Sequence, residues 1–305
     1  MTTQIIAGYD GRTGGRDAVA LATVLADAHA DAEVTVSSVY SVTPVGSRGV
    51  PGEYLAAVRE EADERLDGAR EEWGTRPRTR FEVTRGTSPA DGLHRLATEK
   101  GARCLVVGTS STGPVGRLML PGSATEQTLH GAPCAVAVAP AGYAKAPRSL
   151  RTVGVAYADT PEGHHAVEVA ARVACRHRAA LRLLRVIENR VVTYTAYAGG
   201  EALQDLRAWV DEDVQAAADA VEGVESVGYR VYEGDPATEL ARAGEDLDLL
   251  VVGSRAHGPL RRVLLGSVSS RLVRHAHCPL LVVPRSVPAP DEEADAPAAG
   301  AAATA

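Results

Sequence analysis

At 305 residues and a formal net charge of −7, with a pI near 5.7, the chain has room for two domains and no basic face to advertise nucleic-acid binding. Its four cysteines, Cys104, Cys134, Cys175 and Cys278, lack CxxC spacing, which argues against a disulfide framework and for reduced thiols in a cytoplasm. The opening MTTQIIAGYD lacks the basic and apolar regions of a signal peptide, and no apolar run approaches the roughly 20 residues of a membrane span, so neither secretion nor a membrane is expected.

The elements alternate. Gln4 to Tyr9 reads as a first strand ending at Asp10, followed by a loop and a helix from about Gly15 to Ala30. Glu33 to Tyr40 is the second strand, and Ser41 to Gly52 a Gly/Pro/Ser loop. A charged helix follows to about Trp73, with Leu55, Val58, Ala62, Leu66 and Ala69 along one face. Arg78 to Thr84 alternates as a strand near a sheet edge. Then come a helix from Pro89 to Glu99 and buried strands at Arg103 to Val107 and Cys134 to Ala139. PAGYAKAPRS, from Pro140 to Ser149, reads as a linker.

The order then repeats. Strands are expected at Thr152 to Tyr157, Ala180 to Ile187, Ser226 to Tyr232, Leu247 to Val252 and Pro279 to Val283. Helices are expected at Glu162 to His177, about Gly200 to Val221, Ala237 to Glu245 and Ser267 to His275. The match goes residue by residue: Tyr9 with Tyr157, Gly86 with Gly234, Gly108 with Gly253, and Gly122 with Gly266. Ala18, Leu21, Ala22 and Leu25 share their i, i+3, i+4, i+7 spacing with Ala166, Val169, Ala170 and Val173. The chain is therefore a duplication, with units at 1–140 and 150–285, a linker at 141–149, and a Pro/Ala/acid-rich tail at 286–305 expected to be disordered. The fold class is α/β: two repeated doubly wound domains, each a five-stranded parallel sheet with helices on both faces.

Ligands of such sheets bind outside the carboxyl ends of the strands, where strand order reverses. If strands one and four are neighbours there, Asp10 and Gly108 meet in one crevice. A glycine-ended strand leading to Gly-Ser at a helix start offers bare backbone N–H groups to a phosphate; the plain alternative is an ordinary loop with a serine cap. Neither loop is a Walker motif, because Gly113 and Gly258 are followed by proline rather than Lys-Ser/Thr. His275 and Cys278 sit at a helix end running into a buried strand, where packing outweighs metal binding, and no metal is assigned. No arrangement of residues identifies a catalytic group.

These residues resemble the universal stress protein family, as a tandem two-domain member. The family pattern is Gly, two residues, Gly, nine residues, Gly-Ser. The second unit reads Gly253, Ala256, Gly266-Ser267, and the first reads Gly108, Ser111, Gly122-Ser123 with Pro121 inserted. Gly86 with Pro89, Gly234 with Pro236, and the APC and HCP turns before the last strands add to the likeness. The resemblance implies that ATP, AMP or another adenine nucleotide binds. Asp10 would contact adenine, and Val39 and Val186 would line the base pocket. Gly108, Ser111, Gly122, Ser123, Gly253, Ala256, Gly266, Ser267 and Val268 would hold ribose and phosphates. In the second unit Ala158 stands in Asp10's place. The first unit thus keeps the base contact and the second the better phosphate loop. Any hydrolysis would be slow. The units are expected to pack as an intramolecular pseudo-dimer through their fifth strands, with a homodimer as a further assembly. The rival reading is a stress scaffold with an empty crevice that works through dimerisation and protein partners.

Overall fold

The computed structural model describes residues 2–42, 52–109, 123–197, 199–254 and 266–284. The first unit runs β1 (Gln4–Gly8), α1 (Thr13–Asp27), β2 (Glu33–Ser41), α2 (Gly52–Trp73), β3 (Thr79–Gly86), α3 (Pro89–Lys100), β4 (Cys104–Gly108), α4 (Ala124–Leu129) and β5 (Ala135–Ala139). The second runs β6 (Thr152–Ala156), α5 (Pro161–His177), β7 (Ala180–Glu188), α6 (Asn189–Tyr197), α7 (Gly200–Asp219), β8 (Val227–Gly234), α8 (Pro236–Ala243), β9 (Leu249–Gly253), α9 (Ser267–His275) and β10 (Leu280–Val283).

The strands form one ten-stranded sheet in the order β3-β2-β1-β4-β5-β10-β9-β6-β7-β8. Within each unit every pairing is parallel. The join is antiparallel, with Val138, Ala137 and Val136 of β5 opposite Leu280, Leu281 and Val282 of β10. The strands nearest the join are short runs of Val, Leu and Ala buried on both faces, as parallel strands under helices must be. β3 and β8 are the edges, and their half-exposed, alternating patterns fit that place.

Period-two alternation divides the side chains between two layers. Val34, Val36, Val153 and Val155 face α1, α2, α5 and α7, and Ile6, Leu105, Leu250 and Leu280 face α3, α4, α8 and α9. Both layers run across the join. Helix starts are set by local chemistry. Ser88 and Thr160 each cap the third residue on, ahead of Pro89 and Pro161, and Asp235 caps Thr238 ahead of Pro236.

Helix α6 is not foreshadowed by the sequence pattern. NRVVTYTAY buries no residue, so it lacks the core-facing stripe that periodicity detects. The segment expected as a plain linker is tied down instead. Tyr143 to Lys145 makes a 3-10 turn, Tyr143 is buried, and its hydroxyl donates to the Arg148 carbonyl. The buried Asp17 carboxylate of α1 accepts from the N–H groups of Gly142 and Ala144, both at 2.8 Å. The expected tail lies outside the described residues.

At the join, the C-terminal ends of α1 and α5 bring His29 beside Arg176, 3.3 Å apart. Burial and then Arg176 hold the His29 pKa below its ordinary value; burial and then His29 do the same to His177. Both imidazoles therefore stay neutral in the folded protein to lower pH than in the unfolded chain, which takes up more protons as the medium acidifies. Their contribution is complete above the ordinary value of 6.5 and is lost as pH falls below it. The denaturant midpoint should drop between about pH 7.5 and 5, and His177→Gln should flatten that drop. Asp17→Ala should cost about 1–3 kcal/mol by removing a charged acceptor shared by two backbone N–H groups and should speed limited proteolysis between the units; an unchanged midpoint and digestion rate would show that the carboxylate anchors nothing.

Candidate functional site

Sheet order reverses between β1 and β4, whose onward connections through α1 and α4 lead to opposite edges of the first unit's sheet. A cavity of about 260 Å³ opens there at the carboxyl ends of the strands. Asp10, Val39 and Gly108 all line it, so the structure brings these three predicted residues into one crevice. Ser123 lies at the start of α4, directly before the lining residues Ala124 and Thr125. Its hydroxyl accepts from the Glu126 N–H at 3.2 Å, which is the ordinary helix-cap role. Ser111, Gly122 and Ala256 lie outside the described residues.

The crevice is held by close backbone approach. A Cβ on Gly108 would overlap the carbonyl oxygen of Gly14, and one on Gly14 would lie 3.0 Å from the Thr109 carbonyl oxygen. A Cβ on Gly15 would sit 2.9 Å from the Asp10 N–H nitrogen and from one Asp10 carboxylate oxygen. Gly108 therefore serves first to let α1 lie against β4; leaving room for a phosphate is a second consequence of the same missing side chain. Thr125 clamps the strand end by donating to the Gly108 carbonyl at 2.7 Å. Asp10 is exposed, and a carboxylate oxygen accepts from the Arg12 N–H at 3.0 Å, which turns the chain into α1.

Several lining residues carry no motif. Arg12 and Arg65, the latter ion-paired with Glu61 at 2.6 Å, stand at the mouth, and Ser37, Thr125 and Thr128 supply hydroxyls. Ser37 and the buried Thr84 share a hydrogen bond of 2.8 Å. The signal available for Ser37 was the serine pair in EVTVSSVY; nothing in the sequence marks Arg65.

In the second unit Val186 lies on β7, Gly253 ends β9, Gly266 precedes α9, and Ser267 and Val268 form its first turn. Gly266 offers α9 no side-chain cap. Around Tyr157 the side chains engage one another. Its hydroxyl donates to Asp213 at 3.3 Å, His164 meets its ring edge-on and bonds Asp159 at 2.9 Å, and Arg185 lies over its face at 5.8 Å. Burial and then the Asp213 charge push the Tyr157 pKa up to about 12.

Cys134 and Cys278 are buried in the layer of α3, α4, α8 and α9, and burial drives both thiol pKa values up, that of Cys278 to about 12. Among the described residues no group of three or more His, Cys, Asp or Glu is placed to hold a metal ion. A larger hollow of about 1000 Å³ lies at the join below the 3-10 turn. Two of its arginines are already committed, Arg271 to Asp235 at 2.7 Å and Arg274 to Glu126 at 3.0 Å.

A model of the universal stress protein family matches residues 1–140 and again 149–284. A universal stress protein of Mycobacterium tuberculosis is 27% identical over 203 residues, covering 65% of this chain and 69% of that protein. One from Thermus aquaticus is 33% identical over 136 residues, 44% of this chain and 98% of its own length. Among solved structures, a universal stress protein from Archaeoglobus fulgidus superposes with a TM-score of 0.63 at 21% identity, covering 92% of this chain and 96% of that one. A putative universal stress protein from Pseudomonas aeruginosa gives 0.58 at 15% identity, over 93% and 94%. At these identities the structural likeness speaks for the fold.

Gly108→Ala should destabilise the protein by about 1–3 kcal/mol, the usual cost of overpacking, because α1 must lift from β4. A thermal midpoint equal to that of the parent would show that the helix can yield without cost.

Proposed function

The chain belongs to the universal stress protein family as a tandem member, and on that premise we propose that it binds ATP or a related adenine nucleotide and acts as a nucleotide-responsive regulatory protein. The observation that carries this reading is the crevice at the β1–β4 reversal, where Asp10, Val39 and Gly108 converge beneath Arg12 and Arg65. Val39, Leu93 and Val107 offer an apolar floor to a flat base. The Asp10 carboxylate accepts from an exocyclic amine. The arginines neutralise phosphate charge. The function so read is binding, and a change of partner on binding, with hydrolysis at most slow. Buried, unpaired thiols at Cys134 and Cys278 favour a reducing, cytoplasmic setting.

A scaffold that works through protein partners, its crevice empty, is the second reading. Helix α6 favours it, because Tyr194 and Tyr197 are 81% and 88% exposed and Trp209 on α7 is 54% exposed.

The discriminating experiment denatures the purified full chain, identifies any released small molecule by mass spectrometry, and titrates the chain with ATP by calorimetry. Adenine nucleotide should be released or bound. Asp10→Ala should weaken ATP at least tenfold, about 1.4 kcal/mol, with the thermal midpoint nearly unchanged because Asp10 is exposed. A preparation without nucleotide and without a binding isotherm would favour the scaffold.

A further inference from the structure

The two crevices can be compared position by position, because strand register fixes the equivalences. Gly8 of β1 pairs with Ser37 of β2, and Ala156 of β6 pairs with Leu184 of β7. The next residue in each unit, Tyr9 or Tyr157, donates its N–H to that same partner, Ser37 or Leu184. Val39 pairs with Thr84, and Val186 pairs with Tyr232. Where the first unit has the hydrogen-bonded hydroxyls of Ser37 and Thr84, the second therefore has the buried Leu184 and the half-buried Tyr232.

The helix side differs in charge as well as bulk. Gly14, whose backbone meets Gly108, corresponds to Glu162, whose carbonyl oxygen and Cβ lie 3.0 and 3.5 Å from where a Cβ on Gly253 would be. Asp10 corresponds to Ala158 and Arg12 to Thr160. Arg65, one residue before the buried Leu66 of α2, corresponds to Asp213, one residue before the buried Val214 of α7. The entry to α1 has no side-chain cap and no acidic residue in its first turn. The entry to α5 is closed by the Thr160 cap, Pro161 and Glu162.

We infer that the chain binds one nucleotide, in the first unit, and that Gly14/Glu162 and Arg65/Asp213 are the positions that decide which unit binds. The inference rests on the nucleotide reading above and adds the stoichiometry and its cause. In the second unit Glu162 stands where the first has a bare glycine, and Asp213, which accepts from the Tyr157 hydroxyl, stands where the first has the Arg65 guanidinium, so a polyphosphate loses its cation there; Leu184 and Tyr232 stand where the first unit has the small hydroxyl residues Ser37 and Thr84. The uncapped start of α9 and the closer match of its loop to the family pattern favour the second unit. A lone helix terminus contributes modestly to anion binding and is screened within about one turn, while Glu162 packs its backbone and Cβ against the end of β9 and Asp213 bonds Tyr157 just beyond β6.

Calorimetric titration of the full chain with ATP tests this. One equivalent is expected for the parent. Arg65→Asp, which installs the second unit's residue at a half-exposed position ion-paired with Glu61, should weaken that site more than tenfold. Asp213→Ala should leave stoichiometry and affinity as in the parent. Thermal midpoints of all three proteins report whether each is folded, and Asp10→Ala, which introduces no bulk, repeats the first-unit test should Arg65→Asp unfold. Two equivalents in the parent, or loss of the single site on Asp213→Ala alone in a folded protein, would overturn the inference while leaving nucleotide binding intact. No isotherm with the folded parent would overturn the nucleotide reading itself, and the inference with it.

Discussion

Everything in this molecule depends on the antiparallel pairing of β5 with β10. Each unit would otherwise end in a short strand of Val, Leu and Ala that is buried on both faces and has one row of unpaired backbone groups. Pairing the two edges satisfies those groups and makes the two helical layers continuous. It also fixes where the crevices lie. All strands of one unit run opposite to those of the other, so the carboxyl ends, and with them the two crevices, open at opposite edges of the sheet. No ligand can bridge them, and any communication between them has to pass through the join.

The join is polar at its rim and apolar at its centre. Asp17 grips the chain between the units through two backbone donors, while Arg274 of α9 reaches across the join to Glu126 of α4. His29 and His177, repeat-equivalent residues brought together by the pseudo-twofold arrangement, are each pushed toward neutrality partly by charge across the join. A ligand that ordered the start of α1 would act on a helix whose body carries Asp17 and whose C-terminal end carries His29. α1 is thus the physical link between the first crevice and the join.

The sequence disclosed most of this fold because its information is periodic. Apolar or alternating runs marked every strand of both units, and the repeat placed them in equivalent order. The ends of Ser267 to His275 agree with the structure to the residue. Helix α6 escaped because its tyrosines face solvent. The role of Asp17 escaped because a buried carboxylate meeting backbone donors from far along the chain leaves no local pattern. In the crevice, Asp10, Val39 and Gly108 could be named because they follow motif positions at strand ends; Arg65 and Ser37 could not, because they enter from another helix and from mid-strand.

The glycines show why motif and site are different kinds of information. Read as a motif, Gly108 and Gly253 are equal, and the second unit's loop matches the family pattern more closely. In the fold both are required by the approach of a helix to a strand end, and that requirement holds whether or not a ligand is present. What separates the units is the residue on the other side of the contact: Gly14 leaves the strand end bare, and Glu162 sets a side chain beside it. A strand-to-helix contact can therefore preserve its glycine as architecture while the chemistry around it is replaced, and the helix entry, rather than the glycine spacing, distinguishes the two crevices.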